Sequence, residues 1–225
     1  MLGDSMMRDI IILVMEWIGT ISFAASGTLV AVGCGLDLFG VVTVGTITAV
    51  GGGIMRDLLI GNIPPKIFSN PLILLVAALT SLLVFTVAYF RRKRFQKFRQ
   101  RIEMINIFFD ALGLAAFSIT GVETACRSAF GDNFILVITL GVITGVGGGV
   151  LRDVLVNEKP YILVRHIYAV VSILGSCLYY LLSVGLGYRV SATFVVIVFI
   201  VLMRLLAAKF RWRLPKIELD EREDV

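Results

Sequence analysis

The sequence predicts an all-α integral membrane protein with seven transmembrane helices, built as two inverted three-helix repeats plus a seventh helix. Three observations carry that prediction. Of the 225 residues, 58% are hydrophobic and 16% charged, with a mean hydropathy of +0.93; soluble domains run nearer half apolar and a quarter charged. Seven continuous apolar runs each reach the roughly 20 residues that a bilayer core demands of a helix. One glycine-rich segment, with an Arg-Asp pair behind it, occurs twice. The runs are continuous rather than alternating, which argues against a β-barrel.

The first run, 9–31, ends near "AVGC" (Ala31 to Cys34), which weakly resembles a lipoprotein cleavage box. It also carries Glu16, has little basic charge before it beyond Arg8, and exceeds an ordinary signal-peptide core, so it is expected to remain as a helix. The second run, 37–61, contains "AVGGGIMRDLLIG", and the third spans 70–90. A basic linker, 91–103, follows, with seven basic residues and no acid across Arg91 to Arg101. The fourth run is 104–126. The fifth, 133–156, contains "GVGGGVLRDVLVN", and the sixth and seventh are 166–187 and 190–208.

Residues 1–90 and 104–187 then form the two repeats, 188–208 the seventh helix and 209–225 a tail. The tail opens with Lys209, Arg211, Arg213 and Lys216, and its polar end, Pro215 to Val225, is expected to be disordered. The positive-inside rule makes both basic segments cytoplasmic. They lie four crossings apart, hence on one side, which leaves the N-terminus outside and the C-terminus in the cytoplasm. Topology accounts for the basic linker, and binding of anionic lipid head groups at Arg91–Arg101 is a secondary role. A single short loop beside a membrane gives no nucleic-acid site.

The duplication is explicit. Residues 45–64 and 141–160 match at eleven of twenty positions at a constant offset of 96. Upstream, "EWIGTISFAASG" (16–27) aligns with "DALGLAAFSITG" (110–121) at an offset of 94. Order-preserving matches of this kind indicate duplication. Three helices per copy is an odd number, so consecutive copies cross in opposite directions and the repeat is inverted, with function expected where the copies meet near the midplane.

Three consecutive glycines cost a helix on the order of 3 kcal/mol relative to alanine, and a broken helix is tolerated in a membrane only where it is buried in protein or lines a wet cavity. Gly51, Gly52, Gly53 and Gly147, Gly148, Gly149 are therefore expected to kink or unwind the second and fifth helices beside a shared polar path. Close helix packing through small residues is the competing use, and explains Gly19, Gly27, Gly113 and Gly121 well. Arg56 and Arg152 follow one turn later, each with an aspartate behind it, Asp57 and Asp153. Neighbours on a helix point about 100° apart, so the expectation is cross-pairing between copies, Arg56 with Asp153 and Arg152 with Asp57. Snorkelling to opposite interfaces is the alternative.

Glu16 and Asp110 are repeated acids that attract cations, pair with the arginines, or serve the helix dipole. Thr48 and Thr144 offer hydroxyls to the path or bond back to their own helices. Arg204 reads as a snorkelling anchor. Cys34, Cys126, Cys177 and the single histidine, His166, have no metal-ligand or redox spacing. "GVGGGV" lacks a dinucleotide fingerprint, and no phosphate loop, zinc motif or nucleophile elbow is present. No enzyme and no cofactor follows from these residues.

The doubled GGGxxRD segments, with the acid-xx-G-xxx-F-xx-[ST]-G helices before them, resemble the prokaryotic branch of the trimeric intracellular cation (TRIC) channel family, whose sequence domain also carries a glycine-transporter label. The resemblance covers roughly 9 to 208. It implies a homotrimer in which each protomer has an hourglass pore for K⁺ and Na⁺, with kinked second and fifth helices at Gly51–Gly53 and Gly147–Gly149. The motif's charged pairs fall on Arg56-Asp57 and Arg152-Asp153. The lysine-containing motif with which animal members hold a lipid head group is not evident here. The competing class is a secondary transporter of glycine or another small neutral amino acid, since inverted repeats with broken helices also build carriers.

Overall fold

The computed structural model describes residues 2–164 and 167–212; His166 and the tail beyond Trp212, with Arg213 and Lys216, lie outside the described residues. The chain runs α1 (Leu2–Gly33), α2 (Leu38–Leu59), α3 (Lys66–Ser69), α4 (Pro71–Phe90), α5 (Arg92–Lys97), α6 (Arg99–Cys126), α7 (Phe134–Leu155), α8 (Tyr161–Val164), α9 (Tyr168–Tyr180) and α10 (Arg189–Lys209). A π-helical turn, Leu181–Gly185, extends α9. Among the described residues seven helices are long and apolar enough to cross a membrane: α1, α2, α4, α6, α7, α10, and α9 taken together with its π-helical turn (Tyr168–Gly185). Each coincides with an apolar run of the sequence to within a few residues, except that α1 and α6 start earlier. The chain is thus a multi-pass, all-helical membrane protein.

The repeats share their local signals as well as their patterns. Asp37 caps α2 by accepting a hydrogen bond from the Gly40 amide at 2.7 Å, and Asn133, 96 residues on, caps α7 from the Leu136 amide at 3.1 Å. At the far ends, the amides of Ile60 and Val156 donate to the carbonyls of Arg56 and Arg152. Pro71 occupies the first turn of α4, where its missing N–H costs nothing.

Packing follows a pseudo-twofold relation. The Phe23 and Phe117 rings meet at 5.3 Å between centroids. A Cβ on Gly113 would strike the Phe23 ring, and one on Gly19 the Phe117 ring at 2.8 Å. The same reciprocity governs α2 and α7. Gly52 lies against the Thr144 carbonyl oxygen, and Gly148 against that of Thr48. Since 52 meets 144 and 48 meets 148, the two helices cross antiparallel with their glycines in contact.

The glycine triplets correct one half of the expectation, the unwinding. Both α2 and α7 remain unbroken helix through Gly51–Gly53 and Gly147–Gly149, with no unwound segment. At Gly52 and Gly148 a backbone carbonyl oxygen of the opposite helix occupies the Cβ position, and at Gly51 and Gly147 the Leu151 and Met55 side chains crowd it. Close approach is the use of these four.

Candidate functional site

The arginines that follow the triplets end up on opposite sides of the crossing. Both are buried, Arg56 at 3% exposure and Arg152 at 0%. Neither pairs across the repeats as the 100° argument suggested. The Arg56 Nε donates to Asp57 Oδ1 at 2.9 Å, and its Nη2 lies 2.8 Å from the same oxygen. The Arg152 Nε donates to Asp153 Oδ1 at 2.8 Å. An arginine side chain is long enough to curl back onto the next residue, and the aspartate is held ready for it. Asp57 Oδ2 accepts from the Lys66 amide at 2.9 Å, and Asp153 Oδ2 from the Tyr161 amide at 2.7 Å. Each aspartate therefore ties its arginine to the first residue of the short helix that follows, α3 or α8.

Beyond this shared core the halves differ. Arg152 Nη1 also donates to Asp110 Oδ1 and Ser26 Oγ, each at 2.8 Å. Ser26 donates onward to Asn106 Oδ1 at 2.8 Å. The other oxygen of Asp110 accepts from Arg204 Nη2 at 3.2 Å. The Tyr161 ring lies 5.0 Å from the Arg152 guanidinium carbon, and the Tyr168 ring 4.2 Å from that of Arg204. This charged knot joins α1, α6, α7 and α10. The reading of Arg204 as a snorkelling anchor is overturned, since it is 2% exposed and faces an acid. Asp110, eleven residues into α6, is an ion-pair partner rather than a helix-start acid.

Glu16 holds the position in the first repeat that Asp110 holds in the second. Beside it, Thr20, Gly53, Arg56, Asp57 and Lys66 line a small cavity of about 40 Å³. On the other side of the crossing, a larger hollow of about 500 Å³ is lined by Cys34, Arg99, Glu103, Asn106, Asp153 and Glu158, among others. It reaches the knot through Asn106 and Asp153. Thr48 and Thr144 face neither hollow with a free hydrogen: their hydroxyls donate to Val44 and Leu140 carbonyls in their own helices, at 2.6 Å each.

Sequence reasoning missed Glu123, which is 1% exposed on α6. It accepts from the Tyr179 hydroxyl at 2.9 Å, and Arg189 Nε lies 3.5 Å and Arg8 Nε 4.0 Å from its carboxylate. An acid inside an apolar run was the available signal. Ser26 was visible too, as the [ST] of the repeated [ST]-G.

Comparison with known proteins agrees with this duplicated frame. The family model described as glycine transporter matches the chain twice, over residues 13–89 and 107–184. A prokaryotic TRIC channel crystallised in 0.5 M KCl superposes with a TM-score of 0.79 at 37% identity, covering 91% of this chain and 99% of that one. The chain belongs to the prokaryotic TRIC channel family. The TRIC orthologue from Rhodobacter sphaeroides superposes with a TM-score of 0.78 at 30% identity, over 89% of this chain and 98% of that one. Among sequence relatives, the UPF0126 inner membrane protein YadS of Escherichia coli K12 is 39% identical over 92% of this chain and 96% of its own length. The UPF0126 membrane protein YvgT of Bacillus subtilis is 36% identical over 88% and 92%. The TRIC likeness thus spans the whole membrane region, both repeats included.

Proposed function

We propose that the protein is a monovalent cation channel for K⁺ and Na⁺, a transport protein rather than an enzyme. In this reading it acts as a homotrimer in the prokaryotic inner membrane, with one pore per protomer, the N-terminus outside and the basic linker and C-terminus in the cytoplasm. One observation carries the reading: a small cavity bordered by Glu16, Arg56 and Asp57 and a larger polar hollow bordered by Asp153 and Asn106 lie on opposite sides of the antiparallel glycine crossing. In this reading the two are the ends of an hourglass whose waist is shut. The likeness to solved TRIC cation channels supports it.

The crossing is the waist. Where Gly52 and Gly148 press on the carbonyls of Thr144 and Thr48, no room remains for an ion. Separation of α2 and α7 by a few ångströms frees those carbonyl oxygens, and polar groups of this weak, multiple kind conduct monovalent ions with modest K⁺ preference. The Arg152 knot holds the crossing shut by tying α7 to α1 and α6. Glu16 and Asp57 on one side, and Asp153, Glu103 and Glu158 on the other, draw cations toward the waist. Anionic lipid head groups at Arg91–Arg101 are a further partner in this reading.

The experiment is planar-bilayer recording of the purified protein in asymmetric KCl, repeated with glycine on one side. Unitary steps that reverse near the K⁺ potential and change in Arg152→Ala are expected. A silent bilayer, with glycine counterflow in proteoliposomes from the same preparation, would replace the channel with a carrier.

A further inference from the structure

Helix α10 stands outside the duplication, yet it sends a buried arginine into the knot of the second repeat. The knot holds two cations, Arg152 and Arg204, and two carboxylates, Asp110 and Asp153. Among the described residues these four charges balance, and every one of these side chains is at most 2% exposed. The two oxygens of Asp110 are divided between the cations, Oδ1 to Arg152 and Oδ2 to Arg204. Among the described residues none supplies such an arginine to the first half, where Glu16 borders a cavity instead.

We propose that Arg204 is a tethered counter-ion: it occupies the carboxylate oxygen of Asp110 that a permeating cation would otherwise take. A nearly dry carboxylate with one oxygen unmatched binds a cation strongly, because attraction between unit charges a few ångströms apart grows several-fold as the effective dielectric falls from that of water toward 20. An ion held that tightly leaves slowly, and a pore conducts only where binding is weak enough to release. Arg204 acts through Asp110 as a positioning residue, and Tyr168 fixes its guanidinium by stacking on it. This inference rests on the channel reading for its consequence, but not for the ion binding itself.

The test uses the full-length purified protein and four forms: wild type, Arg204→Gln, Arg204→Lys, and the double variant Asp110→Asn/Arg204→Gln. Thermal melting is measured in KCl against N-methylglucamine chloride, and bilayer conductance is measured against KCl concentration. Arg204→Gln leaves the knot one negative charge in excess. It is expected to gain a K⁺-specific thermal stabilisation that wild type lacks, and to reach half-saturation at about tenfold lower KCl. Arg204→Lys keeps the charge and stays near wild type. The double variant removes one charge of each sign and moves back toward wild type.

Equal half-saturation in wild type and Arg204→Gln, or melting that does not distinguish K⁺ from N-methylglucamine in that variant, overturns the proposal. If Arg204→Gln does not fold, the proposal requires the charge-balanced double variant to fold, and failure of both overturns it. Silent wild-type bilayers with K⁺-specific stabilisation of Arg204→Gln would defeat the channel reading and leave the counter-ion standing.

Discussion

Within one glycine triplet, alanine substitutions are expected to have opposite signs. A Cβ at Gly52 falls on the Thr144 carbonyl oxygen, with that residue's carbonyl carbon at 3.1 Å. Both atoms belong to the backbone of a packed helix, so neither rotates away and α2 must separate from α7. Overpacking of this kind costs about 1–3 kcal/mol, and a backbone obstacle puts Gly52→Ala at the upper end. At Gly53 the nearest atom to a new Cβ is Arg56 Nη2 at 3.8 Å, an ordinary contact. There alanine only improves the helix, by about 1 kcal/mol. The two variants, one residue apart, should differ by about 4 kcal/mol, which corresponds to melting temperatures on the order of 10 °C apart. Thermal unfolding of the detergent-solubilised protein, followed by tryptophan fluorescence, reads the difference directly. Gly148→Ala should behave as Gly52→Ala does, because its Cβ meets the Thr48 carbonyl. Equal losses at Gly52 and Gly53 would refute the reasoning, since they would mean that the triplet is needed for backbone freedom rather than for close approach.

Asp110→Asn leaves Arg152 and Arg204 without their shared carboxylate; breaking a buried pair costs about 3–5 kcal/mol, so a large drop in melting temperature is expected, and an unchanged one would remove Asp110 from the knot. Glu123→Gln keeps an acceptor for the Tyr179 hydroxyl but withdraws the charge facing Arg189; faster amide exchange at the N-terminal end of α10, with α2 unaffected, is the expected result. Cys34 follows α1 and borders the larger hollow, so a membrane-impermeant maleimide should label it only from the cytoplasmic face, and labelling from outside would invert the proposed topology. Burial, with Glu158 and Asp153 nearby, pushes the Cys34 thiol above its ordinary value. Less thiolate is present at neutral pH, so labelling should lag that of a free thiol at pH 7 and catch up as pH rises through the raised value.

The seven spans were legible from run length alone, because a chain in lipid must satisfy its backbone internally and the helix is the economical way to do so. The inverted repeat was legible because its copies keep the same acids, glycines and aromatics in the same order. So were the polar and glycine positions that recur in each copy, from Glu16 and Asp110 through the glycines to Arg56, Asp57, Arg152 and Asp153.

Partners were not legible. The 100° turn between neighbouring helix residues argued against Arg56 bonding Asp57, yet a flexible arginine closes that angle once the aspartate is fixed from behind by an amide of Lys66, nine residues later. Arg204 looked like an interfacial anchor because its position along α10 is near an end; only the packing of α10 against α6 set Asp110 opposite it. Glu123 has no acidic counterpart in the first copy, where the offset of 94 falls on Leu29, so the repeat gave it no emphasis. The glycines show the division most clearly. Their number and spacing are written in the sequence, and helix propensity read them as a break. In the folded bundle, α2 and α7 keep their hydrogen bonds through the triplets, because the free energy that glycine costs a helix is offset where two backbones come into contact, and that contact exists only once the two copies have folded against each other.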